Sequence, residues 1–241
     1  MNRLTPPSRT PPSPATTPPW RRLRWATGTA AALLVTVGAA ACSSERPKEQ
    51  AAFTSPPAMC GAVSQATLDR LVPKAKPPPT SGTYPSRRYT YCGWNSPTNA
   101  KRGGERGVMV AVRLSANDTA AKADFESAWQ GALQTQGTTS PGTLHSDAAT
   151  RINGIGDQAF FTHRTATSGL STLGTAEETV RVRNAVVTVS YRGRDSNPDG
   201  PSKANQKRTP LNATTGRLST DTLAHEVIAT LTSCTPCRPR P

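Results

Sequence analysis

The sequence predicts an α+β fold: an antiparallel sheet packed by two main helices. Three observations carry this. Strand-like and helix-like segments follow the order helix, strand, strand, helix, three strands, helix, with no β-α-β alternation and no repeat. Residues 108–114 place Val108, Val110, Val112 and Leu114 on one face at period two. Two longer segments each carry one apolar stripe at helical spacing, and each stripe must pack on something.

Taken in order, Ser64 caps a short helix to about residue 72, with Val63, Leu68, Leu71 and Val72 on its apolar side. Pro73 ends it. Residues 74–85 read as a Pro-rich loop. Residues 88–94 read as a strand, with Tyr89, Tyr91 and Gly93 alternating against Arg88, Thr90 and Cys92. A Gly- and charge-rich turn region, 95–107, leads into strand 108–114. Asn117 or Asp118 then caps a helix over about 119–136, whose stripe is Ala121, Phe125, Ala128, Trp129, Ala132 and Leu133.

Residues 137–149 read as a loop, and 152–161 as a Gly-kinked turn entering a strand. Residues 177–183 and 186–192 form a hairpin about Asn184-Ala185. That turn pairs Val182 with Val187 and Val180 with Val189, and sets Arg181 opposite Thr188 and Glu177 opposite Arg192. Residues 193–216 read as a long polar loop containing Lys203, Lys207 and Arg208. Ser219 or Thr220 caps the last helix, to about residue 233, with Leu223, Val227, Ile228 and Leu231 as its stripe.

The chain before this domain has a different composition. Residues 1–20 hold seven prolines and no acid, a composition that cannot bury a core. Arg21, Arg22 and Arg24 follow, then an uncharged stretch, 25–41, centred on Leu33, Leu34, Val35 and Val37. It ends in Gly38-Ala39-Ala40-Ala41 before Cys42. Basic start, short apolar segment and small-residue end are the order of a secretory signal. The small residues ahead of Cys42 resemble the lipobox of bacterial lipoproteins, with Ala39 where that pattern usually has Leu. The resemblance implies acylation of Cys42, which then anchors the protein to the outer face of the cytoplasmic membrane. The apolar stretch is too short and too diluted by Gly, Thr and Ala to span a bilayer. The expected organisation is a signal peptide with a Pro-rich start over 1–41 and a lipid-anchored linker over 42–57. A single extracytoplasmic domain over 58–234 and a basic tail over 235–241 follow.

The chain has 241 residues and a formal net charge of +14. Five of the arginines lie in residues 1–41, which contain no acid, so the remainder carries +9. Outside the cytoplasm, nucleic acid is not the natural partner of such a surface. Anionic lipid, an anionic envelope polymer or another envelope protein is. Arg181, Arg183 and Arg192 are expected on the non-core sheet face, with Arg194 following in the loop. Together they form the candidate surface for an anionic partner.

Beyond Cys42 there are four cysteines, Cys60, Cys92, Cys234 and Cys237, and an even number in an exported chain reads as disulfides. Of the three pairings, Cys60–Cys92 with Cys234–Cys237 is preferred. The first bridge would pin the opening helix to the first strand. Its loop predicts roughly 3–4 kcal/mol in the chain-entropy model. Cys234-Thr235-Pro236-Cys237 resembles the C-x-x-C of thiol oxidoreductases, but it follows a helix end, where the dipole has the wrong sign to lower a thiol pKa.

Cys60 with its short helix, Cys92-Gly93-Trp94, Ile155-Gly156-Asp157-Gln158-Ala159-Phe160, a strand pair and the Leu223-Ala224 helix resemble a family of actinobacterial lipoproteins of unknown function. The resemblance covers roughly residues 58–233. It implies one extracytoplasmic domain, a Cys60–Cys92 disulfide and a compact fold similar to the PsbP/Mog1 type. It supplies no catalytic residues.

The sequence contains no G-x-S-x-G, P-loop, H-E-x-x-H or G-x-G-x-x-G. His145 and His163 lie in or near loops, and His225 lies on the surface of the last helix. Asp157 closes a turn on its own backbone. No catalytic residue, metal site or cofactor is assigned. The expected function is a non-enzymatic binding, sensing or accessory domain. The alternatives are a small-ligand carrier with a pocket between the sheet and the Phe125/Trp129 helix, or a thiol-redox accessory through Cys234 and Cys237.

Overall fold

The computed structural model describes residues 51–75, 79–84, 88–96, 104–140, 144–168, 171–196 and 208–240. The leader, Cys42, the start of the linker, Lys203 and Lys207 lie outside the described residues.

A 3-10 turn, Met59–Gly61, precedes α1 (Gln65–Leu71), β1 (Thr80–Tyr84), β2 (Tyr89–Asn95), β3 (Arg106–Leu114) and α2 (Asp118–Thr135). Then come β4 (Thr139–Ser140), β5 (Leu144–Ser146), β6 (Thr150–Ile152), β7 (Gln158–Ser168), β8 (Ser171–Val182) and β9 (Ala185–Ser196). β10 (Arg208–Pro210), α3 (Ala213–Ser233) and a second 3-10 turn, Thr235–Cys237, close the chain. The strands form one sheet in the order β1-β2-β3-β9-β8-β7-β5-β4, with β10 on β9 and β6 on β7. Every pairing is antiparallel. The fold is therefore α+β, a large antiparallel sheet carrying helices.

Period-two alternation decides the two faces. Val110 pairs with Val189, Val189 with Glu178, and Glu178 with Phe161, so these residues share one face. Leu223, Ala224, Val227 and Leu231 of α3 are buried in the core that this face forms, and so are Leu68 and Leu71 of α1. Burying each of the leucines or Val227 contributes about 1.5–3 kcal/mol. The two helices are tied together by Glu226 of α3. Its carboxylate accepts from the Ser64 N–H (2.7 Å) and from the Thr67 hydroxyl (2.7 Å). Those donors hold the Glu226 carboxyl below its usual range against the opposing effect of burial, the largest single influence on it.

α2 covers part of the opposite face. Asn117 caps it, accepting from Ala120 N–H at 2.8 Å. Phe125 meets Phe160 of β7 edge-on, with ring centroids 5.4 Å apart. Only Ala121 and Phe125 of the predicted stripe are fully buried; Trp129, Ala132 and Leu133 are half-buried and Ala128 is exposed. The C-terminal half of α2 thus stands off the sheet.

Several expectations change. Residues 74–85 include β1, and residues 137–149 include β4 and β5, none of which has an apolar alternation to reveal it. Arg194 lies within β9, not a loop, and the 193–216 loop shrinks as β10 and the start of α3 take its end. α3 starts two turns earlier than predicted and is capped by Asn212, which accepts from Thr215 N–H at 2.8 Å. Ser219 and Thr220 are buried within it and bond to helix carbonyls. Gly216 permits this early start, because a Cβ there would lie 2.5 Å from Ala176 Cβ.

The β8–β9 hairpin turns at Arg183-Asn184, not Asn184-Ala185, so Val182 pairs with Ala185 and Val180 with Val187. The slip of two residues keeps every side chain on its expected face. Its cause is tertiary. Asn184 is fully buried; it accepts from Phe53 N–H (2.8 Å) and donates to the carbonyls of Phe53 (2.9 Å) and Ser115 (3.1 Å). Arg183 takes the positive φ of 54° in its place.

Both disulfides form as preferred, Cys60–Cys92 and Cys234–Cys237. Because β1 precedes it, Cys92 sits in the second strand rather than the first, and Cys60 lies in the 3-10 turn ahead of α1.

Candidate functional site

Where α2 stands off the sheet, a cleft of about 400 Å³ opens beneath it. Its roof is the outer half of α2: Asp124, Ala128, Gly131, Ala132 and Thr135. Its floor is the second sheet face. One row of that floor crosses four strands, because Phe160 pairs with Thr179, Thr179 with Thr188, and Thr188 with Ala111. A neighbouring pair, Thr162 and Glu177, and a further pair, Tyr89 and Arg113, complete it. Apolar surface comes from Phe160, Ala111, Val186 and the alanines of α2. Trp129 leans on Phe160 at 5.5 Å and is covered by the Arg151 guanidinium at 4.3 Å, an arrangement fixed by the Arg151–Glu126 ion pair (2.8 Å).

The polar groups differ in whether they are already satisfied. The Asp124 carboxylate accepts the Ser115 hydroxyl at 2.6 Å. Asp147 stands between His163 Nδ1 (2.7 Å) and His145 Nε2 (3.2 Å). Nε2 of the buried His163 is 2.9 Å from the carbonyl of Leu211, so neither of its ring nitrogens is left for the cleft. Glu177, its side chain 29% exposed, lies 3.7 Å from Arg164; burial pushes its carboxyl above the usual range, and Arg164 opposes that.

Arg113 stands apart. It is exposed at the cleft wall, with its guanidinium 5.9 Å from the centre of the Tyr89 ring, and it has no hydrogen bond or ion pair among the described residues. The hydroxyls of Thr162, Thr179 and Thr188 likewise have no partner among the described residues. Thr179 is only 4% exposed. Tyr89 belongs to a ladder with Tyr84 and Tyr91, ring centroids 6.0–6.3 Å apart, and burial raises its hydroxyl pKa while Arg113 opposes the rise.

The predicted basic residues are placed differently. Arg181 pairs with Asp157 (3.1 Å), Arg183 with Asp118 (3.0 Å) and Arg194 with Glu105 (2.9 Å). Arg192 donates to Asn95 Oδ1 at 2.9 Å. Arg183 lies in the turn and the other three in strands, so they do not form one row. Asp157 does not close its own turn; it accepts from Arg183 N–H (2.7 Å) and so braces the neighbouring hairpin. His145 and His163 belong to strands β5 and β7, while His225 is exposed on α3 as expected. Cys237 is buried and Cys234 half-buried at the C-terminal end of α3. The sequence offers Tyr89 and Thr188 only as strand residues and carries no signal for Arg113, Thr162 or Thr179 as site residues, Arg113 being the one charge in the apolar run 108–114. No helix among the described residues is long and apolar enough to cross a membrane.

No protein-family model matches the chain, and no curated protein matches it. Among solved structures it is similar to the extracellular domain of PknH from Mycobacterium tuberculosis, at 9% identity and a TM-score of 0.38, over 74% of this chain and 81% of that one.

Proposed function

We propose that this chain is a non-enzymatic binding domain, held by acylated Cys42 on the outer face of the cytoplasmic membrane, and that the cleft under α2 holds its ligand. The cleft carries this reading. Its volume of about 400 Å³ falls within the small-ligand range, and its lining combines apolar surface with a few convergent polar groups. A closed core under α2 would have opposed it. The His163–Asp147 pair supports binding over catalysis, because His163 is occupied on both nitrogens and activates no nucleophile. The leader order and the disulfides support an extracytoplasmic address. One antiparallel sheet between α2 and the α1–α3 pair supports a relationship to the PsbP/Mog1 type.

Two experiments test this. Cys42→Ser releases the protein from washed membranes into the medium; continued retention refutes the anchor. In a thermal-shift screen of small molecules, true cleft ligands raise the melting temperature of the native protein and not of Ala132→Trp, which fills the cleft from a half-buried helix position. Hits that stabilise both proteins equally refute the site.

A further inference from the structure

The charges around the cleft settle which ligand chemistry it suits. Each of its acids already has a donor or a cation: Asp124 has the Ser115 hydroxyl, Asp147 has two imidazoles, and Glu177 has Arg164. The arginines expected to serve an anionic partner are engaged as well, by Asp157, Asp118, Asn95 and Glu105. Arg113 is the exception among the cleft cations: it rests beside the Tyr89 ring and donates to nothing among the described residues. The hydroxyls of Thr179 and of its cross-strand partner Thr188 also have no partner among the described residues, and both line the floor.

We propose that the cleft takes a small organic anion, a carboxylate or phosphate borne on an apolar or aromatic body. Arg113 receives the anionic group, and the threonine hydroxyls add hydrogen bonds. Phe160 and the alanine-lined roof of α2 cover the body. A guanidinium presents a fixed fork of donors that matches both anions. The cleft is too small for a polymer, so the anion is a discrete molecule or the end of a longer one. This inference rests on the cleft reading above.

Isothermal titration calorimetry with phenyl phosphate, phenylacetate, inorganic phosphate and benzylammonium tests it, using the native protein and the variants Arg113→Gln, Arg192→Gln and Ala132→Trp. The expected result is binding of phenyl phosphate or phenylacetate, whichever anion the site prefers. Inorganic phosphate, lacking the body, binds more weakly, and benzylammonium does not bind. Arg113→Gln weakens the aromatic anion by roughly tenfold to a hundredfold, the loss of one charge-assisted contact. Arg192→Gln leaves it unchanged. No binding of either aromatic anion, equal binding by native protein and Arg113→Gln, or binding of benzylammonium overturns the inference. Binding abolished by Ala132→Trp but untouched by Arg113→Gln overturns the anion assignment and leaves the cleft standing. Binding untouched by Ala132→Trp overturns both.

Discussion

Glu178 offers a quantitative test of how the sheet and α3 fit together. It is 0% exposed, on the core face of β8, between Phe161 and Val189. Neither carboxyl oxygen has a hydrogen bond among the described residues. The neighbouring Thr220 hydroxyl donates instead to the carbonyl of Arg217. Burial, with Asp221 adding to it and Thr220 and Arg217 opposing, pushes the Glu178 carboxyl from 4.5 up to about 7. The folded protein therefore holds this proton more tightly than the unfolded chain. The stabilisation is complete below the ordinary carboxylate range, declines as pH rises, and is gone above about 7. The shift corresponds to about 3 kcal/mol between the two ends of that window. Glu178→Gln removes the titration, so the stability gained by the variant grows with pH. Urea unfolding of both proteins from pH 5 to pH 8 measures it, and the difference cancels the contributions of Glu177 and Glu226, which both proteins share. Glu178→Met checks the same slope without a buried amide. A difference that stays flat across this range refutes the buried, unpartnered carboxyl.

Two further predictions concern cross-links to the same core. Asn184→Ala strips three hydrogen bonds and strands the Phe53 N–H, while Arg88 still donates to the carbonyls of Ser115 and Phe53, so urea unfolding should show a loss of about 3 kcal/mol. Asn184→Asp keeps the acceptor for Phe53 but turns a carboxyl oxygen toward the Phe53 and Ser115 carbonyls, so it should be no better tolerated. Replacing Cys60 and Cys92 by Ser should cost about 3–4 kcal/mol, whereas the Cys234–Cys237 bridge closes a much shorter loop and its removal should cost about 2 kcal/mol. Equal losses in melting experiments would contradict the loop-length argument.

The elements with strong internal pattern were legible from the residues. β3 announces itself through four apolar positions at period two, and α1 through its Ser64 cap and Pro73 stop. The misses share a physical cause. β1 is a short edge strand with no buried residue on either side, and β4 is an edge strand of two residues, so alternation has nothing to report. The hairpin register depended on Phe53, which lies 131 positions from Asn184 in sequence. No local turn preference encodes that contact. The start of α3 depended on Gly216 meeting Ala176, again a contact between distant segments.

The candidate site shows the same limit more sharply. The stripe on α2 says that a helix face is apolar, and the alternative of a small-ligand carrier supposed a pocket between that helix and the sheet; the cleft opens there, but along Asp124, Ala128, Gly131, Ala132 and Thr135 rather than at Phe125 or Trp129. Periodicity cannot say whether that face is seated along its whole length. Here Phe125 seats on Phe160, and the residues beyond it roof an open space. Charge is equally silent about pairing. Arg181, Arg183 and Arg194 read as a basic surface until Asp157, Asp118 and Glu105 are placed beside them. Arg113 reads as an ordinary surface charge, yet among the described residues no acid pairs with it. A net charge is a sum over the chain, whereas recognition depends on the cation whose field is not already cancelled within a few ångströms. On the reading proposed above, that cation in the cleft is Arg113, beside the Tyr89 ring.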